Sequence, residues 1–293
     1  MKSVISHKID LLEAFTDDYT WRKNLFEQYI SKAKQEFKFL YFLYRDSLAL
    51  LEKENMLKLD HTNSSKKYFK YGLNSISEFC RLAHFPDEKK EAKIDESEEF
   101  IIKVQDTSEL KGIRTPIQLA RIARNKQKEN IIASVPLELL SLNKNINFNQ
   151  SYINHLTKLE IEFSLTGSFN DNIYTQLLDI YEKNEQFIQA KVDRLTNHTL
   201  YYIHPYVKAF KSLTDNNEAE FNQNLIKALE AHKAVWSQKK ALNRGGTPLC
   251  RENEGFLSWG CTALAAIAYD KGWQLEVESD YMPPFMVDGS INQ

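Results

Sequence analysis

The sequence predicts a mostly α-helical protein, an antiparallel helical bundle or a repeat-like helical stack with a small β-hairpin or short strands. Three observations carry this. Only 9 glycines and 7 prolines occur in 293 residues, few for a turn-rich β architecture. Apolar residues recur at three- and four-residue steps over most of the chain. The resulting blocks follow one another with short polar connections, the pattern of antiparallel helix pairs. Their mutual similarity is too weak to name a repeat.

Residues near 8–55 read as helical throughout, with Leu25, Tyr29, Ala33, Phe37, Leu40, Tyr41 and Tyr44 as the apolar stripe. A second block spans about 66–85, with Tyr68, Tyr71, Leu73, Ile76, Phe79, Cys80 and Leu82 on one face, and Pro86 ends it. Asp87 to Glu99 mixes charges of both signs and reads as a solvated loop or linker. Phe100–Val104 is the first strand candidate, with Asp106 to Gly112 turning it into a hairpin. Thr115-Pro116 and Val135-Pro136 each suit a helix start, and the asparagine-rich stretch from Asn143 to Asn149 reads as a loop. Helical blocks are then expected at about 151–165, 171–190, 191–213, 217–240 and 257–271. Pro205 should kink or split the third of these near His204. The expected organisation is an N-terminal helical region 1–86, a charged loop or linker 87–99, and a helical domain 100–293, or one continuous domain.

The last helical block differs from the rest. Trp259, Cys261, Leu264, Ile267 and Tyr269 are separated mostly by alanines, so the helix is apolar nearly all round and is expected to be buried. Gly272 suits the left-handed position after a helix end, with Lys271 near the negative end of the dipole. An alternating segment comes next, with Leu275 and Val277 on one face and Glu276, Glu278 and Asp280 on the other.

Composition excludes several classes. A formal net charge of -2 and a pI near 6.4 provide no basic field for nucleic acid. Cys80, Cys250 and Cys261 are irregularly spaced and form no CxxC pair, so neither a disulfide framework nor a zinc site is expected. The first ten residues lack an apolar core of signal-peptide length, and the run Phe39–Tyr44 is too short to span a membrane. The expected location is cytoplasmic, with no membrane partner.

Candidate chemistry is sparse. His155, His198, His204 and His232 lie in or beside helical blocks without a paired metal-ligand spacing, and read as packed or capping side chains rather than catalytic bases. The aromatic cluster from Tyr201 to Tyr206 reads as core. Asn243 to Pro248 holds Gly245 and Gly246 but lacks the phosphate-loop pattern, and Ser258 has no nucleophile elbow around it. No cofactor, metal or catalytic residue is therefore assigned. The acidic row Glu276, Glu278 and Asp280, with Tyr281 beside it, is the leading candidate for docking on a basic partner, and the acidic stretch containing Asp95 and Glu96 is the second.

Four segments resemble the immunity protein 49 family of bacterial polymorphic toxin systems: Phe100–Val104, Ile131–Leu140, Tyr202–Phe210 with Phe221–Trp236, and Gly255–Pro283, which includes Ala268–Gly272 and Glu278–Tyr281. The resemblance covers roughly residues 95–287. It implies a mostly helical protein without enzymatic activity that binds and neutralises a cognate toxin domain. It supplies no catalytic residues. Stoichiometric occlusion of the toxin's active site is the expected mechanism, and an acidic surface suits a toxin that attacks nucleic acids. The competing readings are a helical scaffold or adaptor for an unrelated protein or peptide, and an all-helical hydrolase using Asp270 or His204.

Overall fold

A computed structural model of the chain describes residues 1–7, 12–59, 63–95, 98–105, 112–136, 148–191, 198–239, 241 and 246–292. In chain order the elements are β1 (Lys2–Val4), α1 (Leu12–Ala33), α2 (Lys38–Leu57), α3 (Ser64–Leu82), β2 (Lys89–Lys93), β3 (Glu99–Lys103), α4 (Arg114–Ile122), α5 (Lys126–Ala133), α6 (Phe148–Thr166), α7 (Asp171–Lys191), α8 (His198–Thr214), α9 (Glu218–Trp236), α10 (Trp259–Asp270), β4 (Val277–Ser279) and α11 (Pro284–Val287). The protein is thus mostly helical with small β elements, as the periodicity predicts. It divides into two compact units, Met1–Ile9 with Leu142–Asp288, and Asp10–Ser141 with Gly289–Gln293.

In the unit holding Asp10–Ser141, the stretch expected to be helical throughout 8–55 forms two helices. α1 ends where the Gln35 and Glu36 N–H groups both donate to the Lys32 carbonyl (3.0 and 2.9 Å), and α2 folds back against it. No glycine or proline marks this turn in the sequence. Reversal is dictated by burial instead: it lets the two apolar stripes cover each other, and Phe37 at the bend stacks on Phe79 of α3 with ring centres 4.6 Å apart. Buried charge is paired here. Glu54 accepts from the Tyr19 hydroxyl (2.8 Å) and the Ser65 hydroxyl, Lys53 meets Asp18 at 2.5 Å, and Arg121 donates to Glu129 at 2.8 Å.

The expected linker 87–99 is corrected by the structure. Lys89–Lys93 is strand β2, antiparallel to β3 with Lys89 opposite Lys103 and Lys93 opposite Glu99. Ala92, Ile94, Ile102 and Val104 are buried while Glu91, Lys93, Glu99 and Ile101 are exposed, so the mixed charges are the solvent face of an amphipathic hairpin. The hairpin partner therefore precedes Phe100–Val104 rather than following it, and residues 106–111 lie outside the described residues. The helix expected from Val135-Pro136 also falls largely on residues that are not described, 137–140; Val135 and Pro136 themselves are not helical.

In the other unit, α6 with α7 and α8 with α9 form consecutive helix pairs. The Asn217 side chain accepts from the Glu220 N–H (3.2 Å) and donates to the Glu220 carboxylate (2.9 Å), closing a reciprocal cap on α9. Pro205 does not split its helix: α8 runs through it. The missing proline N–H leaves the Tyr201 carbonyl without its intrahelical donor, but Ile203, Tyr206, Val207 and Phe210 are all buried, and that packing outweighs one lost bond.

α10 is surrounded by α8, α9 and α11, and Cys261 through Ala266 are all buried. Its approach to α8 needs glycine: a Cβ on Gly260 would lie 2.8 Å from Tyr206 Cε2. In the turn before the helix, a Cβ on Gly255 would lie 2.9 Å from Cε3 of Trp236, at the end of α9. The Tyr206 ring is itself fixed, because its hydroxyl donates to the buried Glu160 (3.0 Å). At the far end Gly272 takes φ +78°, and its N–H and that of Trp273 donate to the Tyr269 and Ala268 carbonyls (2.9 and 3.1 Å). The Lys271 ammonium reaches instead to the end of α8, donating to the Leu213 carbonyl at 3.2 Å.

These contacts make Gly255→Ala and Gly260→Ala overpacking substitutions. Each is expected to destabilise the protein by about 1–3 kcal/mol. Urea unfolding checks this: a midpoint for either variant equal to the parent's would show that the aromatic neighbours yield freely.

Candidate interaction surface

The acidic row is built by two chain segments distant in sequence. β1 pairs in parallel with β4, with Lys2, Ser3 and Val4 opposite Val277, Glu278 and Ser279. Val4 and Val277 are buried, so strand alternation turns Ser3 and Glu278 outward together. α9 holds the approach to β4. Asn222 accepts from the Glu276 N–H (2.9 Å) and donates to the Gln274 carbonyl (3.0 Å), and Glu218 accepts from the Gln274 N–H (2.8 Å). The Lys2 N–H donates to the Glu276 carbonyl at 2.7 Å, while the Lys2 side chain ion-pairs with Glu230 of α9.

Glu276 and Glu278 are both exposed, and among the described residues their carboxylates have no hydrogen-bond or ion-pair partner. Beside them, Met1 and Ile5 at the two ends of β1 are 78% and 58% exposed. Unpaired acid next to solvated apolar side chains is the arrangement that lets charge steer an encounter and an apolar anchor hold it.

The other two members of the expected cluster turn inward. Asp280 accepts from both the N–H and the hydroxyl of Ser6 (3.0 Å each). Tyr281 is fully buried, so it presents no surface to a partner, and this corrects the expectation from sequence. Its hydroxyl accepts from the His7 N–H (3.1 Å) and lies 3.0 Å from His7 Nδ1. His7 Nε2 lies 3.2 Å from the Cys250 carbonyl. One tautomer satisfies the whole chain: His7 donates from Nε2 to that carbonyl and accepts the Tyr281 proton at Nδ1. Burial pushes the Tyr281 hydroxyl up to about 12 and lowers the His7 pKa. The pair is a latch for the first seven residues. Sequence reading missed His7, because its partners lie 243 and 274 residues away and no local pattern announces them.

Asp95 lies in the other unit, just after β2, where it is half-buried and takes a 3.3 Å hydrogen bond from the Tyr71 hydroxyl. Glu96 lies outside the described residues.

The histidines considered for catalysis are packed. His204 is buried, stacked on Tyr181 with ring centres 3.5 Å apart, and its Nδ1 is 3.0 Å from the Tyr152 hydroxyl. His232 is buried with Nε2 3.1 Å from the Gly255 carbonyl, and its Nδ1 has no partner among the described residues. A proton there would create a buried unpaired donor. Burial is the principal cause that pushes His204 down to about 3 and His232 to about 4, with Lys208 adding to the first and the Gly255 carbonyl opposing the second. Asp270 lies exposed at the end of α10. Among the described residues no cluster of three or more histidine, cysteine or acidic side chains could hold a metal ion, and no helix is long and apolar enough to cross a membrane.

The family model described as Immunity protein 49 matches residues 63–286, most of the chain. No curated protein and no solved structure matches it. The matched span includes α10, both close-approach glycines and β4, and excludes β1, which completes the acidic surface.

The buried histidines set the acid response. Between pH 6.5 and about 4 the unfolded chain takes up protons that His204 and His232 refuse in the fold. Stability is therefore full above pH 6.5 and falls as pH drops through that window. Urea midpoints measured from pH 7.5 to 4.5 should decline, and His204→Phe, which keeps the stack, should flatten the decline. An identical slope in the variant would remove His204 from the account.

Proposed function

The chain belongs to the immunity protein 49 family, and from that premise we propose that it neutralises a cognate bacterial toxin domain by stoichiometric binding in the cytoplasm. Family membership makes it an immunity protein; the step beyond is the manner of neutralisation. The observation that carries it is the exposed, unpartnered pair Glu276 and Glu278 flanked by the solvated Met1 and Ile5. Two uncompensated carboxylates fit a basic patch, and the substrate groove of a nucleic-acid-degrading toxin is basic because it must hold phosphates. Binding there occludes the groove and needs no catalytic group on this chain. In this arrangement the carboxylates accelerate encounter, and the apolar side chains, once desolvated, slow dissociation. The acidic stretch at Asp95 and Glu96 is the second-choice docking surface, an alternative to this one.

Co-expression with the toxin encoded by the adjacent gene tests the reading directly. Growth should be rescued, and the two chains should co-purify in a fixed ratio. Failure of both would remove it. The surface has its own test. Glu276→Lys with Glu278→Lys should slow association about tenfold at low salt, with the difference shrinking as salt is added. Ile5→Asp should act mainly by raising the dissociation rate. Unchanged rate constants in both variants would place the toxin elsewhere on the protein.

A further inference from the structure

The two edges of the β2–β3 hairpin are treated differently. Val104 N–H donates inward to the Glu88 carbonyl (2.8 Å), so the even-numbered residues of the hairpin make the ladder bonds and the odd-numbered ones point their N–H and C=O outward. On β2 those outward groups are occupied by side chains of α3. Glu78 accepts from the Lys93 N–H (3.1 Å), and Arg81 donates to the Glu91 carbonyl (2.6 Å). On β3 the outward groups of Glu99, Ile101 and Lys103 have no partner among the described residues, and Ile101 is 69% exposed. One edge is sealed and the other is open.

The open edge is self-complementary. Its sequence is Glu99-Phe-Ile-Ile-Lys103. An antiparallel copy centred on Ile101 sets Glu99 opposite Lys103 at both ends, Phe100 opposite Ile102, and Ile101 opposite itself. The parity agrees as well. With odd-numbered groups pointing outward, the central pair and both flanking pairs are hydrogen-bonded pairs, so every free N–H and C=O of the three residues finds a partner. Glu99, Ile101 and Lys103 also share the exposed face, which puts two opposite-charge pairs and one apolar pair directly across from one another. The present ion pairs of these residues, Glu99 with Lys93 at 3.5 Å and Lys103 with Asp87 at 3.7 Å, are solvent-exposed and exchange at little cost.

We propose that the protein self-associates through β3, two copies joining their hairpins into a four-stranded antiparallel sheet. The occupant is a second copy rather than an arbitrary strand because the charge order reads correctly only against itself. Edge charges that discourage indiscriminate pairing here specify one partner and one register. Five residues of edge make a small interface, so the dimer is transient, with a dissociation constant in roughly the micromolar to millimolar range.

Sedimentation velocity of the full chain over a concentration series tests this. The parent should show a concentration-dependent shift from monomer toward dimer. Glu99→Lys alone and Lys103→Glu alone should each weaken the dimer about tenfold, since each replaces two opposite-charge pairs by like-charge ones. An equimolar mixture of the two variants should restore association, because at both ends of the mixed pair a lysine of one chain then faces a glutamate of the other. Ile101→Pro removes an outward N–H without touching the ladder to β2, and should abolish the dimer while leaving circular dichroism unchanged. The charge variants keep the test decisive if the proline variant misfolds. A chain that stays monomeric at the highest concentration overturns the proposal. So does a dimer indifferent to the charge variants, or one that their mixture fails to restore.

Discussion

Covering α10 is the constraint on which the larger unit depends. A twelve-residue helix with apolar groups on nearly every side cannot lie on a surface, so α8, α9 and α11 must close around it. The side chains that do this are large and aromatic, and the helix yields to them by being small. Glycine at 260 admits Tyr206 and alanine fills most of the rest, while Gly255, in the turn before the helix, admits Trp236. The same constraint explains why the chain reverses sharply after Asp270: the helix must stop once it is covered, and Gly272 in the left-handed region supplies the stop. The next strand, β4, is carried to the edge of the unit, where it can be half buried and half exposed. The acidic surface is thus a by-product of where a buried helix has to end.

Polar groups inside both units follow one rule, that burial is tolerated where a partner is fixed. Tyr206 and Glu160, Arg121 and Glu129, and Tyr19 with Glu54 are such pairs. Trp236 Nε1 and His232 Nδ1 depart from it. They lie beside the Gly255 turn, whose backbone meets the Trp236 indole and the His232 ring.

Helix content and the fate of α10 were legible in the sequence because both depend on local periodicity. The alternation through Leu275, Val277 and the acidic residues was legible for the same reason, and Glu276 and Glu278 are exposed as that pattern implies. The features that local pattern could not reveal depend on distant partners. The bend between α1 and α2 has no breaker residue and is set by Phe37 meeting Phe79. β2 is disguised by lysine and glutamate, since only Ala92 and Ile94 betray its inner face. Asp280 and Tyr281 look like continuations of the acidic face, yet Ser6 and His7, from the opposite end of the chain, take both. Pro205 shows the converse: the helix break it signals is overridden by packing on both sides of it.

The pairing of β1 with β4 has a consequence in time. Residues 1–7 are synthesised before their partners, Val277 to Tyr281, with the whole of the Asp10–Ser141 segment emerging between them. That intervening unit has all but its final few residues in hand early and is free to condense while synthesis continues. β1 has nothing to pair with until β4 has been made, and it must then be recaptured across a separation of 274 residues, a contact of very high order. Closing the latch at His7 and Tyr281 therefore waits on β4, and the surface formed by Met1, Ile5, Glu276 and Glu278 comes into being only once both strands have been made.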